Sequence, residues 1–86
     1  MKLNPEFIVY NEDGDTLLVP TAKAPFSGVL RGNKTVGAIL EMLQEEITQE
    51  EIVTRLRERF EAEDGVIEKD VESTLADLRS IGAIDE

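Results

Sequence analysis

The sequence predicts an α+β domain in which a small three-stranded antiparallel sheet precedes a three-helix bundle. Three observations predict it. The first third alternates short β-rich runs with turn residues. The remainder carries three apolar stripes at helical spacing. The charge separates along the same line: residues 1–43 hold four Lys/Arg against five Asp/Glu, a net of −1, and residues 44–86 hold five against fourteen, a net of −9. Strands over about 6–31 and helices over about 34–46, 48–63 and 67–81 make one winged-helix-like unit of 86 residues.

Phe7-Ile8-Val9-Tyr10 and Thr16-Leu17-Leu18-Val19 are β-branched, aromatic and aliphatic runs of strand length. Asp13-Gly14 between them is a strong hairpin pair, because both residues tolerate the positive φ that a tight turn requires. Pro20 and Pro25 bracket a stretch that cannot donate to a ladder, so 20–25 reads as a loop. Phe26 to Arg31 offers a third strand, weakened by Gly28 and Gly32, which allow a bulge or a close backbone approach.

Val36, Ile39, Leu40 and Leu43 fall at i, i+3, i+4 and i+7 of a first helix, with Asn33 or Thr35 as its N-cap. Thr48-Gln49-Glu50-Glu51 is a capping box, and Ile47 with Ile52 has the spacing of a hydrophobic staple. Ile52, Val53, Leu56 and Phe60 then form the second stripe, and Asp64-Gly65 closes the segment. Ile67, Val71, Leu75 and Leu78 form the third, with Gly82 as its stop and Ala83-Ile84 as an apolar return to the core.

Composition excludes several functions. A chain this short buries about 60–65 % of its unfolded surface, which leaves little room for a deep active-site cavity. With no Cys there are no disulfides, thiol nucleophiles or thiolate metal sites, and with no His the usual general base near neutral pH is missing. No apolar run resembles a signal peptide or reaches the ~20 residues of a membrane span, so a cytoplasmic protein without membrane contact is expected. A three-helix domain beside a sheet is a shape often used to grip DNA, but the net charge of −10 has the wrong sign for phosphates. The third helix would enter the major groove, and its run Glu68-Lys69-Asp70-Val71-Glu72 is net negative. No nucleic-acid partner is expected.

Sites of chemistry are weak. Glu45-Glu46 and Glu50-Glu51 read as solvated helix ends facing the macrodipole. Asn11, Asp13 and Asp15 alternate like the first ligands of a calcium loop, but Thr16 and Ala22 occupy the positions that need Gly and a bidentate Glu, so a hairpin is the better reading. Gly28, Gly32 and Gly37 form no phosphate-loop motif, and Gly37 instead permits close helix packing. Arg55, Arg57 and Arg59 lie among glutamates, with Glu51 and Arg55 at the spacing of a helix-stabilising pair. No catalytic residue, metal or cofactor is expected. What remains is shape. The third strand is the last before the helices and lies at a sheet edge, where an extended peptide can add by main-chain hydrogen bonds. The same edge is equally well covered by the 20–25 loop or by a second copy of the chain.

The order of elements and several residues resemble the PqqD family, named after pyrroloquinoline quinone synthesis protein D, whose members are recognition elements for ribosomally made and later modified peptides. The family helix reading Thr-small-small-x-Ile-Trp-x-x-Leu is matched by the run from Thr35 through Ile39 to Leu43, preceded by Asn33. The family's Thr-x-x-Glu-Ile with a Leu before an aromatic is matched by Thr48, Glu51, Ile52, Leu56 and Phe60, and its closing Leu-x-x-x-Gly-x-Ile by Leu78, Gly82 and Ile84. Gly32 and Leu40 depart from the family's usual Leu and Trp. The resemblance covers nearly the whole chain. It implies a non-catalytic module that binds the leader of a precursor peptide as an added strand. The module then presents the peptide to a modifying enzyme, often a radical S-adenosylmethionine enzyme. Carried onto this sequence, the strand side is Ser27, Gly28, Val29, Leu30 and Arg31. On the third helix, Asp70, Thr74 and Asp77 share one flank and Glu68, Glu72 and Arg79 the other. The first is chosen because Thr74 leaves room for an incoming side chain. A homodimer is compatible with all of this. A winged-helix regulator or a dimerising scaffold without a peptide ligand is the alternative.

Overall fold

The Asp13-Gly14 pair determines where the first hairpin folds. In the computed structural model, which describes residues 1–63 and 65–86, these two residues have φ of 48° and 84°, the double positive φ of a type I′ turn. Asp64, expected with Gly65 at the end of the second helix, lies outside the described residues. A two-residue ladder strand, β1 (Lys2–Leu3), comes first. The hairpin strands β2 (Phe7–Glu12) and β3 (Asp15–Pro20) then pair from Phe7↔Pro20 to Glu12↔Asp15. Side chains within the hairpin are engaged with the sheet: the Thr16 hydroxyl donates to Asn11 Oδ1 (3.2 Å), and Arg31 donates to Asp15 Oδ2 (3.0 Å).

The third strand of the sheet, β4 (Leu30–Gly32), pairs with β3 as Leu18↔Leu30, Leu17↔Arg31 and Thr16↔Gly32, giving the order β2-β3-β4. It is shorter and later than the expected run from Phe26 to Arg31. Gly28 has φ of 118°, outside the region in which extended chain can alternate, so no ladder passes through it.

Helix α1 (Lys34–Met42) starts at Asn33, whose side chain accepts from the Val36 amide at 3.0 Å. It ends four residues before the expected 46. The last helix carbonyls close locally, Glu41 O accepting from the Gln44 amide (3.2 Å) and Met42 O from the Glu45 amide (3.4 Å), while the segment that follows pairs with the N-terminus: the Leu3 amide donates to Leu43 O (2.9 Å) and the Ile47 amide to Met1 O (3.0 Å). The N-terminus thereby peels the chain away, and Gln44, Glu45 and Glu46, with nothing to bury, stay exposed. Helix α2 (Gln49–Arg59) starts with both halves of the capping box in place. The Glu51 carboxylate is committed to that cap, and among the described residues it makes no ion pair with Arg55. Phe60 turns to extended backbone, and the stretch 61–63 has no large apolar side chain to hold it on the core, so the helix stops short of 63.

Helix α3 (Val66–Ser80) is entered through Gly65 and left through Gly82, at φ of 87° and 76°. The Ala83 amide donates to Leu78 O (2.9 Å) and the Gly82 amide to Arg79 O (3.1 Å), the paired bonds of a Schellman ending. That ending aims the chain back along the bundle. There β5 (Ile84–Asp85) pairs with β1 as Lys2↔Asp85 and Leu3↔Ile84, a second, two-stranded sheet that clamps the termini together.

The three apolar stripes meet in one core. Ile39, Leu40 and Leu43 of the first helical segment, Ile52 and Leu56 of α2, and Val71 and Leu75 of α3 are almost wholly buried, with Phe7 and Leu18 closing it from the sheet. Each such side chain contributes about 1.5–3 kcal/mol relative to exposure. Thr16 is the buried polar residue, and no buried side-chain N or O among the described residues lacks a partner. A Cβ at Gly37 would overlap the Thr16 hydroxyl, so this glycine sets how closely α1 approaches β3. No described helix is long and apolar enough to cross a membrane.

Candidate functional site

The hairpin turn determines which backbone groups the sheet leaves unused. In a two-residue hairpin the residues flanking the turn exchange both main-chain bonds, and antiparallel pairs then alternate. Glu12–Asp15, Tyr10–Leu17 and Ile8–Val19 are therefore the bonded pairs, in phase with the next bond of the series, from the Thr21 amide to Glu6 O (2.8 Å). On β3 this leaves Thr16 and Leu18 to bond outward, to their partners Gly32 and Leu30. On β4 it leaves Arg31 with its N–H and C=O pointing away from the sheet. Val29 lies one step before the ladder and is 59 % exposed. No turn, loop or cap bond among the described residues uses Val29, Leu30 or Arg31. The 20–25 loop does not cover this edge. Its bonds run to Glu6 and within itself, and Pro25 packs against Gly82 beyond the end of α3.

Across from the edge stands α3, and between them is an open cavity of about 340 Å³. Leu30, Arg31 and Gly32 form its strand wall, Leu18, Val36 and Leu40 its floor, and Thr74, Asp77, Leu78 and Ile81 its helix wall. Leu30 shares the inner face of the sheet with Leu18 and stands at the mouth, 37 % exposed. Gly32 narrows the floor: a Cβ there would lie 2.5 Å from Val36 Cγ1, so only glycine lets α1 close against this strand.

Charge at the site is spare. The Arg31 guanidinium is on the outer face, held by Asp15 at 3.0 Å, and does not enter the cavity. Glu68 is paired with Arg57 of α2, and Arg79 with Glu86 at 2.7 Å. That leaves Asp77 as the carboxylate of the cavity wall. The arrangement offers main-chain donors and acceptors beside an apolar trough with one negative charge.

Of the residues singled out in the sequence, Leu30, Arg31, Thr74 and Asp77 line this cavity together. Ser27 and Gly28 are not on the strand. With Val29 they line a separate concavity of about 490 Å³ formed with the 20–25 loop, because the positive φ at Gly28 turns the chain out of the sheet. Asp70, one turn before Thr74, is exposed and lines neither. The floor residues Val36 and Leu40 and the wall residues Leu78 and Ile81 carry no site expectation from the sequence, where the apolar stripes assign the first three to the core. The signal for them was the width of the α3 stripe: Thr74, Leu78 and Ile81 fall at i, i+4 and i+7, and together line the cavity.

The family model for coenzyme PQQ synthesis protein D (PqqD) matches residues 6–84. Two solved structures share the fold. One is TbiB1 in complex with the TbiA(beta) leader peptide, with a TM-score of 0.75 and 19% identity over 99% of this chain and 100% of that one. The other is a lasso peptide synthetase B1 complexed with the leader peptide, with a TM-score of 0.75 and 21% identity over 95% of this chain and 93% of that one. At such identities the likeness is one of fold. No curated sequence relative matches the chain.

Proposed function

The chain belongs to the PqqD family, and from that premise we propose that it is a non-catalytic module that captures the leader of a ribosomally made precursor peptide by strand addition. The observation that carries the proposal is the unpaired main chain of Arg31 at the lip of the apolar cavity. An added strand bonds to the N–H and C=O of Arg31. The peptide residues on either side of that contact then stand opposite Leu30 and Gly32 and send their side chains inward, because residues facing each other across a ladder share a face. Gly32 has no side chain to compete for that space. The inward side chains are apolar, to suit Leu40, Leu78 and Ile81, and Thr74 leaves room beside them. Strand addition draws affinity from main-chain bonds and selectivity from pockets at alternate side chains. The structures similar in fold are complexes with leader peptides, which supports the reading.

The helical half, at −9, favours a leader with basic residues flanking its apolar ones, Asp77 being the nearest carboxylate. The bound precursor is handed to a modifying enzyme, a radical S-adenosylmethionine enzyme or another peptide-modifying one. Titration of a candidate leader into isotopically labelled protein tests the binding step. Amide shifts at Val29 and Arg31 and along Thr74 to Ile81 are expected. Shifts confined to the turn between α1 and α2, with Val29 and Arg31 silent, would sink it.

A further inference from the structure

The same ladder phase that frees Arg31 on β4 frees a second set of backbone groups on the opposite edge. On β2 the residues bonded to β3 are Ile8, Tyr10 and Glu12, so Val9 and Asn11 send their N–H and C=O away from the sheet. No turn or loop bond among the described residues uses them. The Phe7 amide, next in the series, is already taken by Asn4 O at 3.0 Å. This edge opens on a concavity of about 880 Å³, larger than the cavity at β4, walled by β2, the exposed side of α1 and the end of α2.

Its charge is opposite to that of the molecule. Lys2, Lys34 and Arg59 line it, and Glu41 is its single carboxylate, on a chain whose net charge is −10. None of the three cations makes an ion pair among the described residues. Lys2 stands across the β1–β5 ladder from Asp85, and Arg59, its guanidinium 5.8 Å from the Phe60 ring centroid, also borders a concavity holding Glu41, Glu45 and Glu58, which leaves Lys34 as the least compensated of the three. Charges that guard an edge against unwanted pairing sit on the strand itself. Here β2 carries no cation, and the three come from β1, α1 and α2 and converge on the groove.

The geometry points to a second docking edge, at Val9 and Asn11, that takes an extended acidic segment of a protein partner. The segment adds to β2 while its carboxylates meet Lys34 and Arg59. The inference goes beyond leader binding, since it uses the other edge of the sheet and the opposite charge, and one module then holds a basic leader and an acidic partner segment at once.

The test uses the full chain and an eight-residue peptide alternating Glu with Val and Thr. Its amide shifts should map to Val9, Asn11 and the Lys34–Glu41 face of α1. The double reversal Lys34→Glu, Arg59→Glu should weaken binding about tenfold or more, whereas Lys23→Glu, outside the groove, should leave it unchanged. Circular dichroism of the variants shows whether they remain folded. No shift at Val9 and Asn11 at millimolar peptide overturns the inference, as does equal binding of the same peptide with Lys for Glu. Concentration-dependent self-association of the native chain that the double reversal abolishes would assign the groove to a second copy and also overturns it. Leader binding at Arg31 should be unaffected by the double reversal, so the failure of one edge is distinguishable from failure of the other.

Discussion

Arg31→Pro separates the proposed peptide-binding edge from the stability of the sheet. Proline removes the N–H, and the ladder phase puts that N–H on the side away from β3. The substitution therefore deletes no native ladder bond, and an edge position is where proline is tolerated. The residue before it, Leu30, is already extended, as a pre-proline residue prefers. What the folded protein loses is the exposed Arg31–Asp15 pair, worth about 0–1 kcal/mol. What a bound leader loses is one main-chain hydrogen bond of about 0.5–1.5 kcal/mol, or about 2- to 13-fold in Kd, and the ring standing in its path adds to that. Arg31→Ala is the control, since it loses the same ion pair and keeps the N–H. Leader affinity by calorimetry and urea unfolding of both variants give the two readouts. Leu30→Pro, which takes the bond to Leu18, should destabilise the fold well beyond either. The reasoning is refuted if Arg31→Pro binds the leader as well as Arg31→Ala, or if it unfolds as easily as Leu30→Pro.

Asp77→Asn should weaken a basic leader by about 1.5- to 5-fold and flatten the salt dependence of its Kd, read by repeating the titration over a salt series. Thr48→Ala should cost about 1 kcal/mol in urea unfolding, because it removes the acceptor of the Glu51 amide at the start of α2. Gly14→Ala and Gly82→Ala both force alanine to positive φ, at about 1–2 kcal/mol each. Only at Gly82 does the new Cβ also meet Pro25, at 2.5 Å, while nothing lies near Gly14. Gly82→Ala should therefore melt lower than Gly14→Ala, by about 4–8 °C for each extra kcal/mol in a domain of this size, and equal melting temperatures would count against the close packing of Pro25 on the end of α3.

Signals that act over a few residues were legible without coordinates. The Asp13-Gly14 turn, the Thr48–Glu51 capping box, the Gly82 stop and the four apolar positions of α3 each depend on neighbours within a turn or two, so the chain carries them in its local order. The resemblance in the caps and stripes pointed to the family for the same reason. The candidate site was legible only in part. Leu30, Arg31, Thr74 and Asp77 converge, whereas Ser27 and Gly28 leave the strand because a single backbone dihedral at Gly28 turns the chain, and Asp70 lies a turn too early.

What the sequence alone determined is the content of this protein: an acidic α+β domain with one hairpin, three capped helices, and neither histidine nor cysteine. What only the tertiary structure decided is where those elements stop and which surfaces they leave bare. The terminal β1–β5 ladder joins residues some eighty positions apart, and the same N-terminal segment holds the chain just after α1 through bonds from Leu3 to Leu43 and from Ile47 to Met1. The two free edges of the sheet follow from ladder phase, and the trough beside Arg31 from how closely Gly32 and Gly37 let α1 approach. Turns and caps are settled by contacts between chain neighbours, whereas edges and grooves are gaps between distant elements and exist only once the whole chain has packed.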